Sequence, residues 1–153
     1  MVSISSTAVI ERPVGQVFAY FIDYDRAPEW AFGLKHFKPI NGIEYQVGAV
    51  YEGLVDLGPK TLRSTAEVIG WEADRLIAFK SLAGFGFSSA LRFSPEGENH
   101  TRLDLEAKAE GGAVAQAVAR TLEPLILMAL RYSTERLRQA CLRATDAPQS
   151  DQE

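Results

Sequence analysis

Apolar and polar residues alternate from the start of the chain. Val2, Ile4, Ala8 and Ile10 fall on one side, while Ser3, Ser5, Thr7 and Val9 fall on the other. Period two with β-branched residues predicts a strand. The period changes after Pro13, which fits the first turn of a helix because its missing N–H has no partner to lose there. In "PVGQVFAYFIDY", Val14, Val17, Phe18, Phe21 and Ile22 recur at helical spacing and predict an amphipathic helix. "DRAPEWAFGLK" predicts a second short helix with Pro28 near its start.

Turn signals and short extended runs follow. Asn41-Gly42 and Pro59 bracket "YQVGAVYEGLVDLG", and "TLRSTAEVIGW", "RLIAFKSLAG" and "FGFSSALRFS" come next at strand length. The cleanest alternation is "TRLDLEAKA". Leu103, Leu105, Ala107 and Ala109 face one way, and Arg102, Asp104, Glu106 and Lys108 face the other. One wet face and one buried face predict an antiparallel strand. After Gly111-Gly112 a helix is predicted from about Ala113 to Arg143, roughly 46 Å long at 1.5 Å per residue. Pro148 and the polar residues around it predict a disordered tail over 145–153, leaving 1–144 as a single ligand-binding domain.

The order is one strand, two short helices, about six strands and one long helix. Closely spaced strands pair as hairpins, so the sheet is antiparallel and the class is α+β. The dry face of such a sheet needs a cover, and only the last helix is large enough. Within it, "LEPLILMALRY" sets Pro124 against six consecutive apolar residues, Leu125 to Leu130. A bilayer span takes about 20 apolar residues, so no integral membrane segment is expected. Leu122, Leu125, Ile126, Ala129, Leu130, Ser133 and Leu137 form a broad apolar face, with Arg120, Glu123, Arg131 and Arg138 mostly opposite. Pro124 cannot donate to the carbonyl of Arg120, which predicts a kink and suggests a helix bent over an open pocket.

Composition narrows the function. Of 153 residues, 16 are basic and 20 acidic, and the formal charge of −4 argues against a nucleic-acid partner. Arg131, Arg136, Arg138 and Arg143 read as a solvated helix face near a C-terminus that favours cations. The single cysteine, Cys141, excludes a disulfide framework and a multi-cysteine zinc site, and its apolar setting predicts a buried, inert thiol. "MVSISSTAVIERP" lacks the basic start and apolar core of a signal peptide, so a cytoplasmic protein is expected.

The succession "ERPVGQVFAYFIDYDRAPEW", "YQVGAVY", "HTRLDLEA" and the terminal helix resembles the helix-grip superfamily over about residues 2 to 143. That group includes polyketide cyclase/dehydrase-like, birch-pollen-allergen-like and START-like lipid-transfer proteins. The chain departs from the family's Gly-Thr-Arg strand entry by having His100 before Thr101-Arg102. The resemblance implies a curved seven-stranded sheet wrapped around the C-terminal helix, enclosing an apolar cavity for lipids, sterols, quinones or polyketide-like molecules. It also implies that Trp30 borders the cavity entrance.

On that scaffold Tyr51, Val55, Phe79, Phe87, Leu91 and Leu105 are the expected wall from the sheet. Leu122, Leu125, Ile126, Ala129 and Tyr132 are the expected ceiling from the helix. Small inward residues, Gly53, Ser89, Ala107 and Ala109, suggest that space is left inside. Catalytic candidates are few. Tyr51 could orient a carbonyl, and His36, near the expected cavity mouth, could move a proton. Glu52 and Asp56 share a strand face opposite Tyr51, Gly53 and Val55, so solvent-facing carboxylates are favoured over an acid–base pair. Gly84-x-Gly86 lacks the third glycine and the helix start of a dinucleotide site and reads as a hairpin bend. No metal-ligand spacing appears, and neither a metal nor a cofactor is expected. The favoured function is carriage of a hydrophobic small molecule. The alternatives are a cyclase or dehydratase acting on a polyketide-like substrate, and a protein-interaction module; a homodimer is compatible with each.

Overall fold

A computed structural model of the chain describes residues 2–56, 58–83 and 86–146, the side chains of 145 and 146 excepted. Strand β1 (Ser3–Ile10) leads into helix α1 (Val14–Ile22), a 3-10 turn at Tyr24–Arg26 and the one-turn helix α2 (Ala27–Trp30). Six strands follow: β2 (Leu34–Pro39), β3 (Val50–Asp56), β4 (Thr61–Glu72), β5 (Leu76–Ala83), β6 (Phe87–Pro95) and β7 (Thr101–Ala109). The chain then forms α3 (Ala113–Asp146). The expected elements are all present. The last helix runs three residues past Arg143, and the remainder of the expected tail lies outside the described residues, as does Gly84 of the glycine pair.

All seven strands join one antiparallel sheet in the order β1-β7-β6-β5-β4-β3-β2. Strands β1 and β2, neighbours in sequence, therefore stand at opposite edges, and α1 and α2 carry the chain between them. Register is fixed by the one-sided pattern of apolar residues. Ile10 pairs with Thr101 and Ile4 with Ala107, so a slip of one residue would turn Ile4 and Ile10 to solvent. The outer face closes the same pair in polar fashion, with the Thr7 hydroxyl donating to Asp104 at 2.8 Å.

The core lies where α1 and the second half of α3 meet the middle strands. Ile10, Val17, Ile77, Leu103 and Leu137 are almost fully buried there, and Phe18 packs edge-on against Phe93 and Trp71 with ring centroids 5.1 and 5.7 Å apart. Cys141 sits in the same cluster, and burial pushes its thiol up to about 11, consistent with an inert side chain. A second cluster, Val2, Ile4, Ala109 and Ala119, holds the first half of α3 against β1 and β7.

Pro124 lies inside α3, which continues through it as one α-helix. Both Pro124 and Arg120 are exposed, so water can reach the carbonyl that the proline leaves without a donor. Solvent on that face is the physical reason the helix tolerates the proline.

At its far end, α3 is tied to the end of β1 by a two-pronged ion pair. Arg138 donates to both carboxylate oxygens of Glu11 at 2.8 and 3.0 Å. This hydrogen bonding holds the Glu11 carboxyl below its ordinary value of 4.5. A lowered folded-state value means the pair stabilises the fold above the unfolded-state value and loses that contribution as pH falls through the folded one. Glu11→Gln is expected to lower Tm by a few degrees at neutral pH, with the difference from wild type closing in acid. A thermal melt series across pH reads it, and a constant difference down to the acid end would contradict the linkage.

Candidate functional site: an apolar internal cavity

Between the concave sheet and the middle of α3 lies a cavity of about 470 Å³. That size is typical of small-molecule sites, roughly 300–1,000 Å³. Its wall is built by strand alternation. Tyr51 and Val55 point inward from β3, Phe79 from β5, Phe87, Ser89 and Leu91 from β6, and Leu103 and Leu105 from β7. Phe21 and Ile22 close it from the end of α1, and Ala129, Leu130, Ser133 and Leu137 roof it from α3.

The short helical segment closes part of the wall. Trp30 lines the cavity and packs on Phe21 at 5.1 Å between ring centroids. The segment after it is latched to α3. The Phe32 backbone N–H donates to Ser133 Oγ at 2.9 Å, the Phe32 ring meets Tyr132 edge-on at 5.5 Å, and Arg136 donates to the Glu29 carbonyl at 3.3 Å. At the other end, Phe37 stacks flat on Tyr51 at 4.9 Å, and Tyr24 and Tyr45 complete an aromatic cluster. Tyr45 adopts a left-handed backbone (φ 60°), an unusual state for a large side chain, and its ring is held between Tyr24 and Trp71.

No Asp, Glu, Lys, Arg or His side chain lines this cavity among the described residues. The titratable groups that do line it are phenols. Burial raises Tyr51, partly opposed by a hydrogen bond with the backbone of Tyr45. Tyr24 is pushed up to about 12, first by its hydrogen bond to Glu44 at 3.0 Å. Both are therefore neutral at physiological pH and can donate a hydrogen bond but cannot take a proton as a base. The indole Nε1 of Trp30 is buried with no acceptor. A buried donor left unmade costs about 1–3 kcal/mol, so a ligand oxygen that reached it would relieve that cost. Among the described residues no group of three potential ligands for a metal ion occurs.

Of the residues named from sequence, Trp30, Tyr51, Val55, Phe79, Phe87, Leu91, Leu105 and Ala129 line the cavity. Ile126 lines a neighbouring chamber under the first half of the helix. Leu122, Leu125 and Tyr132 do not line either space. They point outward, and Leu125 and Tyr132 are about half exposed (54% and 50%). The outer side of α3 from Val114 to Tyr132 is apolar as well as the inner side, so hydropathy could not tell the two faces apart. Pro124 itself lines neither space. His36 is also misplaced by the expectation. A bulge between Leu34 and His36 leaves Leu34 and Phe37 as the inward side chains of β2. Glu52 faces away from the cavity and pairs with Arg63 at 2.9 Å, and Asp56 lies 3.9 Å from Lys35.

Sequence reasoning missed the contributions of the helical segments: Phe21, Ile22, Ala27, Ala31 and Phe32, with Trp71 from β4. The signal available was the density of aromatic residues between Phe18 and Phe37. α3 is also long and apolar enough to cross a bilayer, with a mean hydropathy of 1.4 over its best window. The second half of α3 is part of the core through Leu137, Ala140 and Cys141, whereas in the apolar first half only Ala119 is buried.

A family model described as "Polyketide cyclase / dehydrase and lipid transport" matches residues 1–141. No curated protein matches the sequence. Among solved structures, TTHA0849 from Thermus thermophilus superposes with a TM-score of 0.77 at 18% identity, covering 94% of this chain and 99% of that one. The Zhui aromatase/cyclase from Streptomyces sp. R1128 gives 0.77 at 14% identity, covering 94% and 95%. The di-domain aromatase/cyclase StfQ of the steffimycin pathway gives 0.71 at 15%, covering 94% of this chain and 46% of that one. At such identities these likenesses establish the fold alone, and they agree with a helix-grip architecture.

The protein's two tryptophans, Trp30 and Trp71, both line the cavity. Binding of an apolar ligand there is expected to change intrinsic fluorescence, and its affinity should stay flat from about pH 6 to 9, where none of the lining groups titrates. A binding curve that bends near the ordinary histidine value would contradict this arrangement.

Proposed function

The chain belongs to the polyketide cyclase/dehydrase and lipid transport family, and from that premise we propose that it carries a hydrophobic small molecule in its internal cavity. Membership supports a ligand-binding or cyclase role. The observation that favours carriage is the chemistry of the lining, which is apolar apart from a few hydroxyls and the indoles of Trp30 and Trp71. Binding an apolar molecule needs removal of its surface from water, worth roughly 25 cal/mol per Å², and few polar fixtures to orient it. Proton transfer during cyclisation needs an acid or base whose pKa lies near the working pH, and the neutral phenols of Tyr24 and Tyr51 stand too high.

One observation favours the cyclase or dehydratase reading. The Tyr51 hydroxyl stands in the cavity wall and could hydrogen-bond a substrate carbonyl or enol while the cavity's shape sets which carbons meet. His36, the other candidate, is turned away and drops out of this reading. Native mass spectrometry of the purified protein, followed by extraction and identification, is the direct test. An apolar molecule bound one to one is expected. Recovery of none, together with no binding of a panel of lipids and quinones, would remove the carrier reading. Tyr51→Phe then separates the two roles. Carriage predicts a change in affinity within about fivefold, the effect of one neutral hydrogen bond. A cyclase predicts loss of turnover by about 10²-fold or more.

The reading extends to a cytoplasmic protein that pairs through the outer face of α3. Val114, Val118, Leu122, Leu125, Met128 and Tyr132 recur there at intervals of three and four residues and are all exposed. Sedimentation analysis should find a dimer that Leu125→Glu combined with Met128→Glu converts to a monomer. A wild-type monomer at high concentration would rule the pairing out.

A further inference from the structure

Beside the main cavity lies a second chamber of about 280 Å³, under the first half of α3 and toward the β1 edge. Phe87, Ser89, Leu91, Leu105 and Leu130 line both spaces. The residues shared by the two spaces thus come from three elements, β6, β7 and α3. All five are side chains that border both spaces, and Leu130 is the one among them carried by the helix. Aliphatic side chains change rotamer at modest cost, whereas a backbone wall would not open.

The second chamber is held open by small residues. Ala107 and Ala109 on β7 and Ala119 on α3 line it, where larger side chains would fill the space and gain burial. The Ser89 hydroxyl, at the shared wall, is the one hydroxyl common to both spaces and makes no hydrogen bond with any described residue. An inward hydroxyl without a partner in an apolar setting is a donor and acceptor awaiting one.

We propose that the two chambers form one channel for an extended ligand, with Leu130 as its yielding constriction and Ser89 as the hydroxyl that holds a mid-chain oxygen. The main chamber reaches Leu34 and Phe37 on β2, and the second reaches Val2 and Ile4 at β1, the opposite edge of the sheet. Six strand spacings of about 4.8 Å put those limits on the order of 29 Å apart along the sheet. That length suits a linear acyl or ketide chain carrying a keto or hydroxyl group part-way along, and not a compact fused ring. The inference rests on the hydrophobic-ligand reading and specifies the shape of what is bound.

Photo-crosslinking with octadecanol bearing a terminal diazirine, read by peptide mass spectrometry, tests it. Adducts are expected in both chambers, including Val2, Ile4 or Ala119. Ala107→Leu, which fills the second chamber from the sheet side, should move adducts out of it. Ser89→Ala should weaken binding of a mid-chain keto alcohol by about fivefold while the plain alcohol changes less. Adducts confined to the main chamber would overturn the channel and leave the carrier reading standing. Absence of adducts in either chamber would overturn both. Equal effects of Ser89→Ala on the keto and plain alcohols would overturn the role of Ser89.

Discussion

One helix cannot fill the concave side of a curved sheet seven strands wide, and the rest of the molecule follows from that mismatch. A helix with its side chains is about 10–12 Å across, while seven strands span on the order of 30 Å. Here α3 is seated in the core near its two ends and latched at its side by the segment around Phe32. Ala119 packs against Val2, Ile4 and Ala109 at one end, and Leu137 and Cys141 join the core at the other. Between those seats Ala129, Leu130 and Ser133 stand over the cavity. Larger residues at Ser89, Ala107 or Ala129 would reduce the void and stabilise the fold, but these positions carry small side chains. The interior is left as a container.

The same mismatch decides the chemistry. A cavity roofed by Leu130 and walled by Phe79, Phe87 and Leu91 is a low-dielectric space, where an unpaired charge would cost several kcal/mol. The carboxylates accordingly sit outside it, Glu52 against Arg63 and Glu11 against Arg138. What polarity remains inside is neutral: two phenols raised above their ordinary values, the hydroxyls of Ser89, Ser133 and Thr134, and the Trp30 N–H. Such groups orient a ligand without pulling protons from it.

The fold was largely legible in the sequence because it is written in periods. Strand alternation around Tyr51, Val55, Leu91 and Leu105 placed side chains on the correct face, since a strand has only two. The helix defeated the same reasoning. From Val114 to Tyr132 α3 is apolar on nearly all sides, so Leu122 and Leu125 looked as suitable for the interior as Ile126 and Ala129. Only tertiary packing selects among them. His36 failed for another reason, because a one-residue bulge in β2 reverses which side chains face inward, and no local signal announces it. The aromatic side chains around α2 went unassigned because a one-turn helix and its flanking loop have no period to read. Pro124 drew notice as a strained position, yet its exposed setting lets water resolve the strain.

The proposed carriage of an apolar ligand in this space makes a thermodynamic demand that surface adsorption does not. Isothermal titration calorimetry with a long-chain alcohol, repeated over a range of temperatures, addresses it directly. An internal site predicts saturation at one ligand per chain and a clearly negative heat-capacity change, the mark of apolar surface leaving water. Binding that fails to saturate at one per chain, or that shows a heat-capacity change near zero, would contradict the claim that this cavity is where the protein does its work.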